Sequence, residues 1–113
     1  MKDCVFCKII SGEISSKFEY EDENMIIIKD INPQATIHLL LIPKKHFSNL
    51  MDITEEQTEI LAQCLKKLSH IYLDLGLDRG FRIVCNSGLD ACQSVYHLHI
   101  HILGGELLSD KMA

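Results

Sequence analysis

The stretch that decides the fold lies near the end of the chain and reads Gln93-Ser94-Val95-Tyr96-His97-Leu98-His99-Ile100-His101-Ile102-Leu103, followed by Gly104-Gly105. Three of the six histidines alternate here with Tyr, Leu and Ile residues. Alternation with a period of two is typical of a β-strand, because successive side chains of a strand point to opposite faces. The pattern predicts one face with His97, His99 and His101 and an opposite face with Tyr96, Leu98, Ile100 and Ile102.

The histidine face of this predicted strand needs a chemical explanation. The apolar face suits a hydrophobic core, so the histidines are expected to point into a cleft or an interface. A strand rises roughly 3.3 Å per residue, so the Cα atoms of His97 and His101 would lie about 13 Å apart. One metal ion therefore cannot bind all three imidazoles, and at most two neighbours can share an ion. Metal ligation, covalent catalysis and simple packing of the strand are all open at this point.

Length and composition indicate one ordinary globular domain, covering residues 1–113. Hydrophobic residues make up 47% of the chain and charged residues 24%, which is too apolar for a disordered chain. The net charge of -5 argues against a surface for nucleic acid, which needs clustered Lys and Arg. A single bound nucleotide is compatible with this charge, so we expect no nucleic-acid partner but keep a nucleotide ligand open.

The sequence also predicts where the protein works. No apolar run approaches the roughly 20 residues that a membrane span requires, so no membrane association is expected. The first residues do not resemble a signal peptide. Five cysteines are an odd number, which fits free thiols or metal ligands better than a set of disulfides. Together these features predict a reducing, cytoplasmic location.

Cys4 and Cys7 form a C-x-x-C pair near the start of the chain. The segment Cys4–Ile10 predicts one or two helical turns, closed by Gly12. A redox-active pair would need a thioredoxin-like βαβ unit, and none follows in the sequence. A structural zinc site would need two further ligands from elsewhere in the chain. The pair alone therefore leaves a metal site and two half-buried thiols as alternatives.

The fold class predicted from the remaining segments is α+β: a five-stranded antiparallel sheet with one long and one short helix. A polar loop joins two strand-like runs within Lys17–Asp30 into a hairpin. Further strands are predicted at Ile37–Ile42 and Phe81–Cys85. The histidine-rich strand described above completes the set of five, and both helices are expected on one side of the sheet.

The long helix is predicted between Asp52 and Gly76. It begins with a capping box at Thr54, and Gly76 suits its C-terminal cap. Apolar residues recur along it at three- and four-residue spacing, which predicts one stripe facing the core. That stripe consists of Ile60, Leu61, Cys64, Leu65, Leu68, Ile71, Tyr72 and Leu75.

Several motifs together resemble the histidine-triad family, most closely its Hint-type nucleoside phosphoramidase branch. The main motif is Gln93-Ser94-Val95-x-His97-x-His99-x-His101, followed by two apolar residues. Further matches are Asp30-Ile31-x-Pro33-Gln34-Ala35-x-x-His38, Ile42-Pro43-Lys44-Lys45-His46 and Asn86-x-Gly88. The resemblance runs from about Cys4 to Gly105, nearly the whole chain, and agreement at so many spaced positions is not expected by chance.

The resemblance implies a role for each matching residue. It makes His99 the catalytic nucleophile, with His101 and His38 placed to tune or relay protons. An acidic residue and the following Ile take the ribose hydroxyls and the base in the family, which would assign these tasks to Asp30 and Ile31. The phosphate and the leaving group would be contacted by Asn86, Gln93, Ser94 and the backbone amide of Val95.

The resemblance also implies a metal ion and a partner subunit. The transferase relatives in the superfamily bind zinc through two Cys and two His, which carries a structural zinc ion over to Cys4, Cys7, His46 and His97. With His97 on the ion, that residue would hold the strand in place and could not shuttle a proton. Family members form homodimers through the long helix and a strand, so we expect two sheets joined into a continuous one.

The activity implied by the resemblance is hydrolysis of purine nucleoside phosphoramidates to an AMP-like nucleotide and an amine, through a covalent nucleotidyl-histidine. The alternatives are a hydrolase of dinucleoside polyphosphates, a nucleotide-binding adaptor with incidental activity, and a zinc-held scaffold. Nucleotidyl transfer of the galactose-phosphate type is disfavoured, because Leu98 stands where that branch has proline. The tail from Glu106 to Ala113 lacks the Trp-containing C-terminus of animal-type relatives, which leaves the amine open.

Overall fold

A computed structural model describes residues 3–112 and defines two helices and five strands. In chain order they are α1 (Val5–Ser11), β1 (Tyr20–Glu21), β2 (Met25–Lys29), β3 (Ile37–Pro43), α2 (Glu55–Ile71), β4 (Phe81–Val84) and β5 (Ile100–Gly104). The strands form one antiparallel sheet in the order β1-β2-β3-β5-β4. The predicted α+β class, with its five-stranded antiparallel sheet, one long helix and one short helix, is confirmed.

The sheet is covered on both faces, and β2 explains why. Its first four residues are all buried, without an alternating polar position. Met25 and Ile27 belong to the larger core cluster, which contains the buried face of α2. Ile26 and Ile28 belong to a second cluster, which contains the buried face of α1. The helices therefore lie on opposite faces, and the expectation that both pack on one side was wrong: an all-apolar strand requires cover on both faces.

The long helix begins as predicted and ends earlier. The Thr54 hydroxyl accepts a hydrogen bond from the N–H of Gln57, whose side chain in turn accepts from the N–H of Thr54, which completes the capping box. The helix ends at Ile71, and turns follow up to Gly76, whose φ of 80° suits glycine. The predicted cap at Gly76 was therefore wrong. The predicted stripe is correct for most of its members, but Leu65 is exposed instead of facing the core.

The histidine-rich stretch is a strand only in its second half. β5 begins at Ile100, and its register with β3 ends at the pair Leu41 and Ile100. Before that point the chain has left the ladder, and the N–H of Leu98 donates instead to the carbonyl of Phe47 at 2.7 Å. Strict alternation is lost as a result: Tyr96, expected in the core, is 48% exposed. The prediction of a regular strand was wrong for residues 96–99.

The other predicted elements match within a few residues. Cys4 is the N-cap of α1 and Gly12, at φ 86°, is its C-cap. The hairpin within Lys17–Asp30 is present, although β1 is only two residues long. Within residues 3–112, no helix has the length and apolar character that crossing a bilayer requires.

Candidate active site and metal centre

Two groups of side chains with histidines meet at the ends of β3 and β5. We call Cys4, Cys7, His46 and His97 the Cys2His2 cluster, and His38, His99, His101 and Asp30 the imidazole cluster. The N-cap and first turn of α1 supply the sulfurs of the first cluster, while the segments after β3 and before β5 supply its imidazoles. Every one of the predicted metal ligands is in the first cluster, and all three predicted catalytic histidines are in the second.

The Cys2His2 cluster has the dimensions of a tetrahedral metal site. The Nδ1 atoms of His46 and His97 lie 3.2 Å apart. The Cys4 sulfur lies 3.3 Å from Nδ1 of His97, and the Cys7 sulfur lies 3.4 Å from Nδ1 of His46. Zinc bonds of about 2.3 Å to sulfur and about 2.0–2.1 Å to nitrogen, at tetrahedral angles, place neighbouring donor atoms roughly 3.3–3.8 Å apart. These residues therefore fit a zinc ion without rearrangement.

The protonation of His97 also suits a ligand. Its Nε2 lies 2.7 Å from the carbonyl oxygen of Pro43 and donates a hydrogen bond to it, so Nδ1 presents a lone pair to the cluster. Burial lowers the pKa of His97 to about 4, and burial also lowers the pKa of His46. Both imidazoles are neutral near pH 7, as metal ligands must be. Burial and the adjacent Cys4 raise the pKa of the Cys7 thiol and so disfavour its thiolate form. A bound cation would counteract this by stabilising the thiolate.

His99 has the opposite arrangement of ring nitrogens. Its Nδ1 donates to the carbonyl oxygen of His97 at 2.9 Å, which leaves the lone pair on Nε2. The side chain is buried, and the ring edge of Phe6 packs on it with 5.0 Å between ring centroids. In a neutral His99 ring, Nε2 therefore carries the lone pair, which is the atom that an imidazole uses as a nucleophile.

His38 and His101 form a hydrogen-bonded pair next to a carboxylate. The backbone N–H of Gln34 donates to Nδ1 of His38 at 2.9 Å, so the proton of a neutral His38 is on Nε2. That Nε2 lies 2.9 Å from Nδ1 of His101 and 3.4 Å from a carboxylate oxygen of Asp30. Since Nδ1 of His101 accepts this hydrogen bond, neutral His101 carries its proton on Nε2. Burial, together with the neighbouring His99 and His38, lowers the pKa of His101, and Asp30 opposes this shift.

The donor atoms of Asp30, His38 and His101 are also close enough to share a metal ion. The Gln34 N–H argues against that use. A metal on Nε2 of His38 would put a proton on Nδ1, so that ring N–H and backbone N–H would face each other at 2.9 Å. Such a contact loses a hydrogen bond and brings two donors together. The arrangement therefore favours proton transfer over metal ligation.

Gln93 is a buried hydrogen-bonding hub. Its Nε2 donates to the carbonyl oxygens of Ser48 and Val95 at 2.7 and 3.1 Å. Its Oε1 accepts from the side-chain amide of Asn49 and the N–H of Gly88 at 3.0 and 2.9 Å. The amide has two protons and two lone pairs, and all are used. Its predicted contact with phosphate stays a prediction and would require one of these bonds to break.

The other predicted substrate residues are all at least partly exposed to solvent. Ile31 is 91% exposed beside Asp30, Ser94 is exposed, and Val95 and Asn86 are half-buried. A surface cleft of about 420 Å³ runs past Ser94, Val95 and Tyr96 to the Cys2His2 residues Cys4 and His46, and is also lined by Asp3 and Val5. The predicted phosphate-binding segment therefore borders the metal cluster.

Sequence reasoning missed the groups that orient the imidazoles. They are the carbonyls of Pro43 and His97, the N–H of Gln34 and the ring of Phe6. Every residue has a backbone carbonyl, so the first two leave no trace in residue type. Phe6 was available as a signal, because it is the aromatic residue inside the C-x-x-C pair.

Comparison with known proteins identifies the family. A family model described as "Scavenger mRNA decapping enzyme C-term binding" matches residues 3–113. The structure of a HIT family hydrolase from Clostridium thermocellum has a TM-score of 0.92 to this chain at 45% identity, and the match covers 100% of this chain and 99% of that chain. The fold and the triad define a histidine-triad (HIT) protein. This chain belongs to the HIT family and has the fold of a HIT family hydrolase.

Two further relatives have names that mention zinc. A 14 kDa zinc-binding protein from Brassica juncea is 43% identical over 109 residues, which cover 95% of this chain and 96% of the relative. A Zn-bound histidine triad family protein from Mycobacterium smegmatis has a TM-score of 0.77 at 35% identity, covering 99% of this chain and 84% of that chain. In this chain, the four residues of the Cys2His2 cluster have a geometry suitable for such an ion.

Proposed function

We propose that this protein hydrolyses purine nucleoside phosphoramidates through a nucleotidyl-histidine formed on His99, and releases an AMP-like nucleotide and an amine. The observation that carries the proposal is the 2.9 Å hydrogen bond from Nδ1 of His99 to the carbonyl of His97. It leaves Nε2 unprotonated beside an imidazole pair that can move protons. Membership of the HIT family and the Hint-like motifs support the choice of substrate.

In the first displacement, Nε2 of His99 attacks the α-phosphorus and the bond from phosphorus to the leaving nitrogen breaks. The electron pair of that bond goes to the amine, which needs a proton as it leaves. The acid is His101 in its imidazolium form, which gives its Nε2 proton to the amine and becomes neutral; its ring centroid lies 5.3 Å from that of His99, and an Asp30 carboxylate oxygen lies 3.8 Å from its Nδ1. One phosphorus–nitrogen bond replaces another, so this step is not steeply uphill.

In the second displacement, water attacks the phosphorus and the bond to Nε2 of His99 breaks, returning its electron pair to the imidazole. His101, which lost its Nε2 proton in the first step, takes a proton from the water. The amine has gained one proton and the water has lost one, so the enzyme returns to its starting state. The Asp30 carboxylate, which also lies 3.4 Å from Nε2 of His38, stabilises the positive charge that His101 carries before the first proton transfer and regains after the second.

Substrate contacts are proposed from the matching motif residues. Ser94 and the N–H of Val95 can donate to the phosphate oxygens, as can the Asn86 amide, so no Arg or Lys is needed. Ile31 is free to pack on the base because almost all of its side chain is exposed. One oxygen of Asp30 already accepts from the N–H of Asn32 at 2.8 Å, so the ribose hydroxyls would share this carboxylate with the imidazoles.

The Cys2His2 cluster is proposed to hold structural zinc. Four protein ligands complete a tetrahedral site and leave no open position for substrate. The ion would fix α1 against the segments after β3 and before β5. A reducing compartment such as the cytoplasm suits this site, because Cys4 and Cys7 must be available as thiolates.

The test is steady-state hydrolysis of an adenosine phosphoramidate, with a diadenosine polyphosphate measured in parallel. We expect the phosphoramidate to be the preferred substrate and His99→Ala to lower kcat by on the order of 10³-fold or more. His70→Ala is the matched control, since His70 is exposed in the last turn of α2. Faster cleavage of the polyphosphate would favour the alternative hydrolase. AMP binding by folded wild-type protein with no turnover of either compound would refute the enzyme and leave the nucleotide-binding adaptor.

A homodimer is part of the proposal. β4 is at an edge of the sheet and exposes Phe81 and Ile83, at 38% and 45%. Leu65 of α2 is also 37% exposed. A second copy that pairs edge to edge would continue the sheet and cover apolar side chains. Light scattering should give twice the mass of the 12.9 kDa chain, and Ile83→Lys should give a monomer. A monomeric wild type would refute this part alone.

A further inference from the structure

Phe6 lies between the two clusters. It sits in α1 between the sulfur ligands Cys4 and Cys7, and it is 7% exposed. Its ring packs edge-on against the rings of both His97 and His99, at 5.9 and 5.0 Å between centroids and interplanar angles of 82° and 74°. Any movement of α1 would therefore change the packing on a ligand of one cluster and on the nucleophile of the other.

A second connection runs through the backbone. His97 binds into the Cys2His2 cluster with its side chain, while its carbonyl oxygen accepts the Nδ1 proton of His99. The orientation of His99 thus depends on where the cluster holds His97. Both the Phe6 ring and the His97 carbonyl contact His99, and both belong to parts of the chain that the Cys2His2 cluster holds together.

The contact with the Phe6 ring bears on the orientation of the His99 imidazole. Turning this ring by 180° about the bond from Cβ to Cγ would put Cδ2 in place of Nδ1 opposite the His97 carbonyl. The hydrogen bond would be lost and Nε2 would move away from its position of attack. The hydrogen bond to the His97 carbonyl favours the present orientation, and the T-shaped contact with Phe6 adds packing that helps to hold the ring there.

We propose that Phe6 is a positioning residue for His99, and that filling the Cys2His2 cluster is what holds Phe6 in place. This inference rests on the proposed function of His99. The cluster then does more than stabilise the fold. The fraction of clusters that hold a zinc ion sets the fraction of molecules in which His99 is correctly oriented. Misplacement by about 1 Å can cost up to 10²-fold in rate.

The kinetic test compares Phe6→Leu with Phe18→Leu. Phe18 packs against the same core cluster as Phe6, and its ring packs on neither His97 nor His99, so it loses the same volume without the histidine contact. We expect Phe6→Leu to lower kcat about 10-fold or more with KM changed less than twofold, and Phe18→Leu to change neither by more than twofold. Equal kcat values for the two variants would overturn the proposal. If Phe6→Leu does not fold, Phe6→Met keeps the volume without the ring edge and replaces it.

The spectroscopic test does not depend on turnover. Long-range ¹H–¹⁵N spectra of protein with ¹⁵N-labelled histidine report which ring nitrogen of His99 carries the proton. We expect Nδ1–H in the zinc-loaded wild type and in Phe18→Leu, and ¹⁵N shifts that move toward a mixture of tautomers in Phe6→Leu and in chelator-treated wild type. An unchanged His99 pattern in both of these samples would overturn the proposal. A changed pattern in a protein that hydrolyses nothing would uphold the positioning and refute only the proposed function.

Discussion

The two histidine clusters use the same side chain for opposite purposes, although His97 and His99 are separated by a single residue. In both cases one ring nitrogen donates to a backbone carbonyl, and the other is left with a lone pair. For His97 the donor is Nε2, so Nδ1 faces the sulfurs; for His99 the donor is Nδ1, so Nε2 is left for attack. The position of a backbone carbonyl, and not the residue type, therefore selects which ring nitrogen keeps the lone pair, and with it the role proposed for each histidine.

His38 differs from both of these histidines, because the backbone group that faces its ring is a hydrogen-bond donor and not an acceptor. Its Nδ1 meets a backbone N–H, so its remaining proton is on Nε2 and points to His101 and Asp30. A carbonyl at this position would instead leave a lone pair on Nε2, next to a carboxylate and another imidazole. A lone pair on Nε2 of His38, together with Nδ1 of His101 and the Asp30 carboxylate, would be a set of metal ligands. One backbone donor thus separates a proton relay from a metal site.

The largest expected effect comes from replacing each of the two neighbouring histidines. His97→Ala should lose the bound zinc and about 4 kcal/mol or more of unfolding free energy, because loss of a metal site is among the most destabilising changes. His99→Ala should keep the zinc stoichiometry and most of the stability while losing turnover. Metal analysis, thermal unfolding and hydrolysis assays on both variants check this.

A reversal of that pattern would contradict the division between the clusters. Zinc retained in His97→Ala would mean that three ligands suffice. Zinc lost in His99→Ala would mean that the two clusters cannot be separated.

A smaller effect is expected from removing the backbone donor to His38. Gln34→Pro deletes the N–H while leaving every imidazole in place, and Gln34→Ala is its control because it keeps the N–H. We expect kcat to fall about 10-fold in the proline variant, since His38 can then carry its proton on either nitrogen. The same variant should gain affinity for added zinc at a second site. Equal kcat and equal zinc stoichiometry in the two variants would show that the Gln34 N–H does not decide between proton transfer and metal binding at His38.

The smallest effect concerns Glu106, which is hydrogen-bonded to the loop whose Gln34 N–H donates to His38. Its carboxylate accepts hydrogen bonds from the Thr36 hydroxyl and N–H, and these hold the pKa of Glu106 below its ordinary value. A carboxyl group with a lowered folded pKa stabilises the fold at pH values above the unfolded pKa, and that contribution is lost as the pH falls through the folded pKa.

Thermal unfolding of the wild type and Glu106→Gln between pH 3 and 7 measures this contribution. The wild type should be slightly more stable at the upper end, and the two curves should converge as the carboxyl group becomes protonated. A difference that stays constant over the whole range would assign the effect to shape rather than charge.

Most elements of the fold were predictable because their signals are local. The capping box at Thr54, the glycine after α1 and the apolar run of β2 each act within a few residues. The errors have tertiary causes. Tyr96 was placed in the core by its alternation with Leu98, but the chain leaves the ladder before β5 begins, so the period of two no longer applies.

The candidate site divides in the same way. The triad spacing and the flanking Gln93-Ser94-Val95 indicated the family and the residues that meet at the ends of β3 and β5. The resemblance assigned Gln93 a contact with phosphate, which stays a prediction. The fold surrounds this amide with four hydrogen-bonding partners from three segments, an arrangement that no local pattern could reveal.

By itself, the sequence determined the number and order of the helices and strands, because residue type and spacing fix the hydrophobic period and the caps. The family and the four candidate metal ligands came from the resemblance of its motifs to those of known proteins, because spacing alone left the C-x-x-C pair open. Only the tertiary structure decided which nitrogen of each histidine carries a proton, because that depends on distant backbone groups: Pro43 for His97, and Gln34 for His38. It also decided that α1 and α2 lie on opposite faces, and that the ring of Phe6 packs against the ring of His99.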